Sequence, residues 1–310
     1  MRILRQIWSV LKKAGTEFIE DNGMKLSASL SYYTLFSLGP ILIIIISLAG
    51  VYWGRDAVEG RIYDEINGLV GNAAALQIQD IIKNIEKSQL GASGAVIGFI
   101  VLLVGATGVF TEIQDSINYI WSIRSKPKKG LLKLLINRLI SFSLIVSVGF
   151  LLMVSLILNA LLDLLHDRLA IYFNDVSVYL FQGLNFMLIY VVIACLFAII
   201  FKVLPDASIR WRDAFVGAAF TAVLFLIGKS LISVYVTNSS IGVTYGTAAS
   251  IVILLLWIYY TSIILYYGAE FTKVYTVNYG GGIKPDKTAV FIIKQETREV
   301  PGDQRINVLH

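Results

Sequence analysis

Charged side chains are missing from five long stretches of this chain: Leu26–Gly54, Ser88–Thr111, Leu139–Leu162, Val176–Phe201 and Ser230–Ala269. A shorter charge-free run, Ala214–Gly228, precedes Lys229. About 20 apolar residues, rising 1.5 Å each as a helix, cross a hydrocarbon core of about 30 Å. The final window contains the turn-like Thr237-Asn238-Ser239-Ser240-Ile241-Gly242 and is divided there. The pattern therefore predicts six spans, at about 28–52, 92–115, 138–162, 177–201, 214–236 and 248–272. Barrel strands would show a polar residue at every second position, which these runs lack. The expected fold is an all-α, polytopic membrane bundle of six transmembrane helices, occupying residues 28–275.

The segments between the windows carry their own patterns. Within residues 1–27, Leu4, Ile7, Trp8, Leu11 and Phe18 recur near helical spacing, opposite Arg5, Lys12 and Lys13. This is an amphipathic N-terminal helix, either lying on the inner membrane surface or packed under the bundle. In the outer segment 54–90, Ile78, Ile81, Ile82 and Ile85 form one apolar face, and Ile62, Ile66, Leu69 and Val70 another. Two short helices are expected there, as a cap on the bundle or as a lid. Residues 276–310 read as a flexible cytoplasmic tail opened by Gly280-Gly281-Gly282, with Ala289-Val-Phe-Ile-Ile293 able to dock back as a short strand.

Composition agrees with a membrane protein: 56% of residues are hydrophobic and 15% charged, against about a quarter charged in soluble domains. The first 25 residues show no cleavage-site pattern of a signal peptide, so the first span is expected to be an uncleaved anchor. Charge orients the spans. With the N-terminus in the cytoplasm, the inner side carries Arg2, Arg5, Lys12, Lys13 and Lys25, then Arg124 to Arg138, then Lys202, Arg210 and Arg212. The outer side carries Arg55, Arg61, Lys83, Lys87 and Arg168. Both termini are thus expected to be cytoplasmic. The net charge of +5 is read as a topology signal, with no nucleic-acid partner implied. The partners expected are the lipid bilayer itself, anionic inner-face lipid near Lys126-Pro-Lys-Lys129, and an unidentified small-molecule or lipid substrate.

Polar groups inside the spans are the places where function can sit. Glu112, Asp115 and Tyr119 form a polar stripe that Gln114 and Asn118 extend on neighbouring positions, about 30 Å along the second span by the helical rise. Glu270 reaches a similar depth on the sixth. Two readings fit: an interfacial ion-pair cluster locking helix ends, or a vestibule for a cation or polar solute. Lys229 lies about 24 Å from Asp213 along its helix, beyond easy reach of those acids. It either snorkels or pairs with Asp163, or it contacts a solute in an outward cavity. Glu112 and Glu270 are also the candidate proton carriers if protons drive a cycle. Small residues set the packing: Gly94 and Gly98 make a GxxxG pattern, Gly217 and Gly268 mark the fifth and sixth spans, and Pro40 should kink the first.

Catalysis finds little purchase. The histidines are His166 and His310, and no Walker motif, GxSxG elbow or dinucleotide loop is present. No catalytic residue, metal site or cofactor is expected. The lone Cys195 allows no intrachain disulfide.

Several of these segments, taken in order, carry a resemblance. They are Ala28-Ser-Leu-Ser-Tyr-Tyr-Thr-Leu-Phe-Ser-Leu-Gly-Pro40, Phe110-Thr-Glu-Ile-Gln-Asp-Ser-Ile-Asn-Tyr-Ile-Trp121, and Leu204-Pro205 with Trp211-Arg212. Gly217-Ala218, Lys229, Tyr235, Tyr245-Gly246, Trp257, Tyr259 and Gly268-Ala-Glu270 continue the series. The chain resembles the YihY/BrkB family of bacterial inner-membrane proteins, formerly labelled ribonuclease BN-like, from about residue 20 to 275. The resemblance implies six spans, an inner-membrane location and a permease or exporter role. The old nuclease label is opposed by the lack of the His and Asp clusters that metal-dependent RNA cleavage needs. A non-transporting envelope protein that scaffolds partners or organises lipid is the second class.

Overall fold

A computed structural model of the chain describes residues 2–37, 75–76, 79–80, 108–126, 174–238 and 249–294. Helix α1, Arg2–Glu20, ends in a turn at 21–22, and α2 runs from 23 through 37. Helix α3 spans 108–120 and passes into strand β1, Ile123–Ser125. Three long helices follow: α4, Asn174–Val203; α5, Trp211–Asn238; and α6, Ala249–Asn278. Strand β2, Ala207–Ser208, sits between α4 and α5, and strands β3, Lys284–Pro285, and β4, Ala289–Phe291, follow α6.

Three helices are long and apolar enough to cross a membrane, over Gly183–Val203, Trp211–Tyr235 and Ile251–Asn278. They coincide with the last three charge-free windows. Residues 28–37 and 108–115, at the edges of the first two expected spans, are helical. The third expected span, the outer segment's amphipathic helices apart from 75–76 and 79–80, Pro40, Gly94 and Gly98 lie outside the described residues.

Helices α5 and α6 pack through a reciprocal glycine–threonine contact. A Cβ added at Gly217 would lie 1.9 Å from Thr272 Oγ1, and one at Gly268 would lie 2.1 Å from Thr221 Oγ1. Each glycine stands four residues before the threonine on its own helix, so the two helices run antiparallel with the pairs facing each other. Close approach buries threonine hydroxyls, which need partners. Thr221 donates to the Gly217 carbonyl and Thr272 to the Gly268 carbonyl, both at 2.7 Å. In a lipid environment, small residues are what allow such backbone proximity. Aromatic rings tie α4 to this pair: Phe197 meets Phe225 edge-on at 6.1 Å, and Phe225 meets Trp257 at 6.2 Å.

Helix α1 packs against α6 through Val10 and Ala14, which bury with Phe271 and Val274, and through Phe18, which meets Tyr267 edge-on. The Tyr267 hydroxyl donates to the Leu11 carbonyl at 3.2 Å. Of the two sequence-based alternatives, packing on the bundle holds for this face, while Trp8 and Ile19 stay 69% and 77% exposed on the other.

The chain after α6 differs from the flexible appendage expected, as far as Lys294. The Gly282 amide donates to the Thr276 carbonyl at 3.1 Å, with Gly282 in the left-handed region at φ 76°, and so caps α6. The Gly281 amide donates to Asp213 Oδ2 at 2.8 Å. Asp213 is buried in the first turn of α5, where a carboxylate also suits the helix dipole. The glycine run thus supplies amides and left-handed backbone for a tight cap. Beyond it, β3 pairs antiparallel with β2, Ala207 opposite Pro285. Strand β4 pairs antiparallel with β1, Ile123 opposite Phe291.

Candidate functional site

Two polar assemblies sit side by side where α1, α3, α6 and the final strands converge. The first centres on the turn between α4 and α5. Asn118 of α3 is buried, donates through Nδ2 to Asp206 Oδ2 at 2.9 Å, and accepts the Asp206 amide at 2.8 Å. Gln114 donates to Asp206 Oδ1 at 3.3 Å. The Asp206 carbonyl in turn accepts the Asp286 amide at 3.0 Å. One aspartate therefore joins α3, the α4–α5 turn and the β2–β3 ribbon. Nearby, the Trp121 indole donates to the Ala269 carbonyl at 3.1 Å, tying the end of α3 to α6.

The second assembly is ionic. Lys273 of α6 is its hub: its ammonium lies 2.7 Å from Glu17 Oε2, 3.0 Å from Glu270 Oε2 and 3.6 Å from Asp21 Oδ2. Lys294, just after β4, pairs with Asp21 and sits 4.4 Å above the Tyr119 ring. Glu270 is fully buried, and among the described residues no donor reaches its Oε1. Asp21 is buried as well and shares the Lys273 ammonium with Glu270. The local sequence explains the arrangement. Glu17 and Asp21 are one helical turn apart beside the buried Ala14 and Phe18, so docking α1 on α6 carries both carboxylates to Lys273. Among the described residues, no group of three or more His, Cys, Asp or Glu side chains is arranged to hold a metal ion. The ammonium of Lys273 fills the centre that the three acids share.

The sequence-predicted residues are distributed unevenly. Glu270 and Asn118 are both buried, in different assemblies. Glu112 is half-buried and Asp115 exposed, so the stripe on α3 divides, with Asn118 and Gln114 turned to Asp206. The fully buried Tyr266, one turn before Glu270, feels the charges of Glu112 and Asp115 on α3, and its hydroxyl has no hydrogen-bond partner among the described residues. Lys229 is half-buried on α5, 12 residues beyond Gly217. That is about 18 Å along the axis from the level of Thr272, and the two ends do not meet. Asp163, its expected partner, lies outside the described residues. Gly217 and Gly268 hold the α5–α6 contact. Glu17, Asp21, Asp206 and Lys294 are the members that sequence reasoning missed. The signal available was Glu17 and Asp21 sharing the side of α1 next to its apolar stripe.

No solved structure matches the chain. The relatives are described as UPF0761 membrane proteins. The one from Psychromonas ingrahamii is 28% identical over 82% of this chain and 83% of its own length. That from Pseudoalteromonas atlantica is 28% identical over 87% of each. A longer relative from Rhodospirillum centenum is 26% identical over 85% of this chain, which spans 56% of that protein. The family described as virulence factor BrkB matches residues 14–292. Apolar helices of spanning length, membrane-protein relatives and a family match across nearly the whole sequence agree: the chain is an integral membrane protein and belongs to the BrkB family.

Proposed function

We propose that this protein is a permease or exporter of a small molecule or lipid in a bacterial inner membrane, with six spans and both termini in the cytoplasm. The observation that carries the reading is Glu270: a fully buried carboxylate, with one oxygen lacking a donor among the described residues, on a helix long enough to cross a membrane. Intramembrane ionisable groups are costly and usually line a solute or ion route. Lys229, half-buried on the adjacent α5, and Glu112 beside Tyr266 extend the set of polar groups such a route would use. The basic residues bracketing the spans support the orientation, and the Lys126-Pro-Lys-Lys129 cluster supports attraction to anionic inner-leaflet lipid. In this reading the protein catalyses no covalent reaction and binds no cofactor or nucleic acid.

A second reading, a non-transporting scaffold or lipid-organising protein, is favoured by the tight α5–α6 contact and by the ion pairs that fill the joint around Lys273. Comparing lipids and metabolites on the two sides of the membrane separates the two. Cells with the wild-type protein, none, Glu270→Gln and Lys229→Met would be tested at matched membrane abundance. Transport predicts a compound redistributed by the wild type and returned toward the protein-free pattern by either variant. Identical profiles in all four strains would leave the scaffold reading.

A further inference from the structure

The ionic joint contains an unequal number of charges. Three carboxylates, Glu17, Asp21 and Glu270, face two ammonium groups, Lys273 and Lys294. Lys13 reaches Glu17 at 3.7 Å, but its side chain is 55% exposed, and such a pair is too well solvated to neutralise the interior. Tyr119 contributes a neutral ring face to Lys294. These are the ion pairs and the ring contact that join α1, α3, α6 and the final segment around Glu270 and its partners among the described residues. One negative charge is left over, at a place where Glu270 and Asp21 are both buried.

The position of that surplus follows from the hydrogen bonding. Glu270 and Asp21 both face the Lys273 ammonium, at 3.0 and 3.6 Å, and two ionised carboxylates are acceptors only. Two such groups in one dry site repel unless one of them carries a proton. Among the described residues Glu270 Oε1 is a buried carboxylate oxygen with no hydrogen-bond donor, whereas Glu17 Oε2 lies 2.7 Å from the Lys273 ammonium. We propose that the Asp21–Glu270 pair is a proton-binding site. A single proton shared by the two carboxyls completes the charge of the joint and holds the α1–α2 corner to α6. The site stands whether or not the protein moves a solute, because its occupancy is an equilibrium property.

Infrared spectroscopy of the full-length protein in lipid nanodiscs reads the proton directly. At neutral pH the wild type should show a protonated-carboxyl C=O stretch that shifts in heavy water, and Glu270→Gln should lose it. Glu17→Gln is the sharper variant. It leaves both members of the pair in place and removes one negative charge from the half-solvated edge of the joint. Two carboxylates then face two ammonium groups, and the band should be lost although Glu270 is intact. Lys294→Met should instead keep the band and carry it to higher pH. A merely structural role predicts no change in the band with Glu17→Gln. If Glu270→Gln does not fold, Glu17→Gln and Lys294→Met still decide. The proposal is overturned by a wild type with no such band at neutral pH, or by a band unchanged in Glu17→Gln. It is equally overturned by a band seen only after sodium and potassium are replaced by choline, which would give the site to a metal cation.

Discussion

Helix α6 takes part in two kinds of contact within one turn of itself. Through Gly268 and Thr272 it meets α5 with every hydroxyl satisfied by the carbonyl four residues earlier. Through Glu270 and Lys273 it meets α1 and the final segment with charges whose sum is not zero. The first contact has no protonation state and no dependence on distant residues beyond shape. The second draws members from positions 17, 21, 270, 273 and 294 and is only as stable as their charge state. A membrane helix can thus be fixed on one side by packing and be responsive on the other.

Substitutions can break either half. Gly217→Leu should have the largest effect, because even its Cβ would lie 1.9 Å from Thr272 Oγ1. Overpacking of this kind costs about 3 kcal/mol or more, and thermal unfolding in detergent should show little folded protein at any pH. Lys273→Met should cost about 3–5 kcal/mol by leaving buried carboxylates unpaired. Its penalty should shrink as the pH falls and the acids take up protons, whereas that of Gly217→Leu should not. Equal pH dependence in the two variants would remove the contrast between the contacts. Asn118→Ala should cost about 1–3 kcal/mol by removing the donor to Asp206 Oδ2 and the acceptor of the Asp206 amide. Limited proteolysis should then cut within 204–210 before other described segments. The smallest effect is expected for Lys229→Met, within about 0.5 kcal/mol, with normal accumulation in the membrane. Failure of that variant to accumulate would assign Lys229 a structural role.

The parts of the fold legible in the sequence were those set by local pattern. Charge-free windows located α4, α5 and α6, and small residues marked the α5–α6 contact; an amphipathic α1 was legible too, but its buried face runs through Val10, Ala14 and Phe18, while Trp8 of the expected face is exposed. Ala289–Phe291 was readable as a strand by its composition. The joint was not legible because its members are far apart in sequence: Asp21 pairs with Lys294 across nearly the whole chain. Spacing alone placed Glu112, Asp115 and Tyr119 on one stripe extended by Gln114 and Asn118, but Gln114 and Asn118 turn to Asp206 while Asp115 and Tyr119 are exposed. The Gly280–Gly282 run read as flexible because glycine is permissive. Here that same permissiveness lets amides reach Asp213 and Thr276.

The pairing of Asp21 with Lys294 has a consequence for how the protein is made. Chains emerge from the ribosome N-terminus first, so Glu17 and Asp21 are synthesised about 250 residues before Lys273 can meet them. Until then the α1–α2 corner has no cationic partner from α6 and stays hydrated. Its docking is therefore a late event in biogenesis, completed only when residue 294 has been translated. A chain that stops short of that point leaves Asp21 without its Lys294 partner, so the α1–α2 corner is held by Lys273 alone.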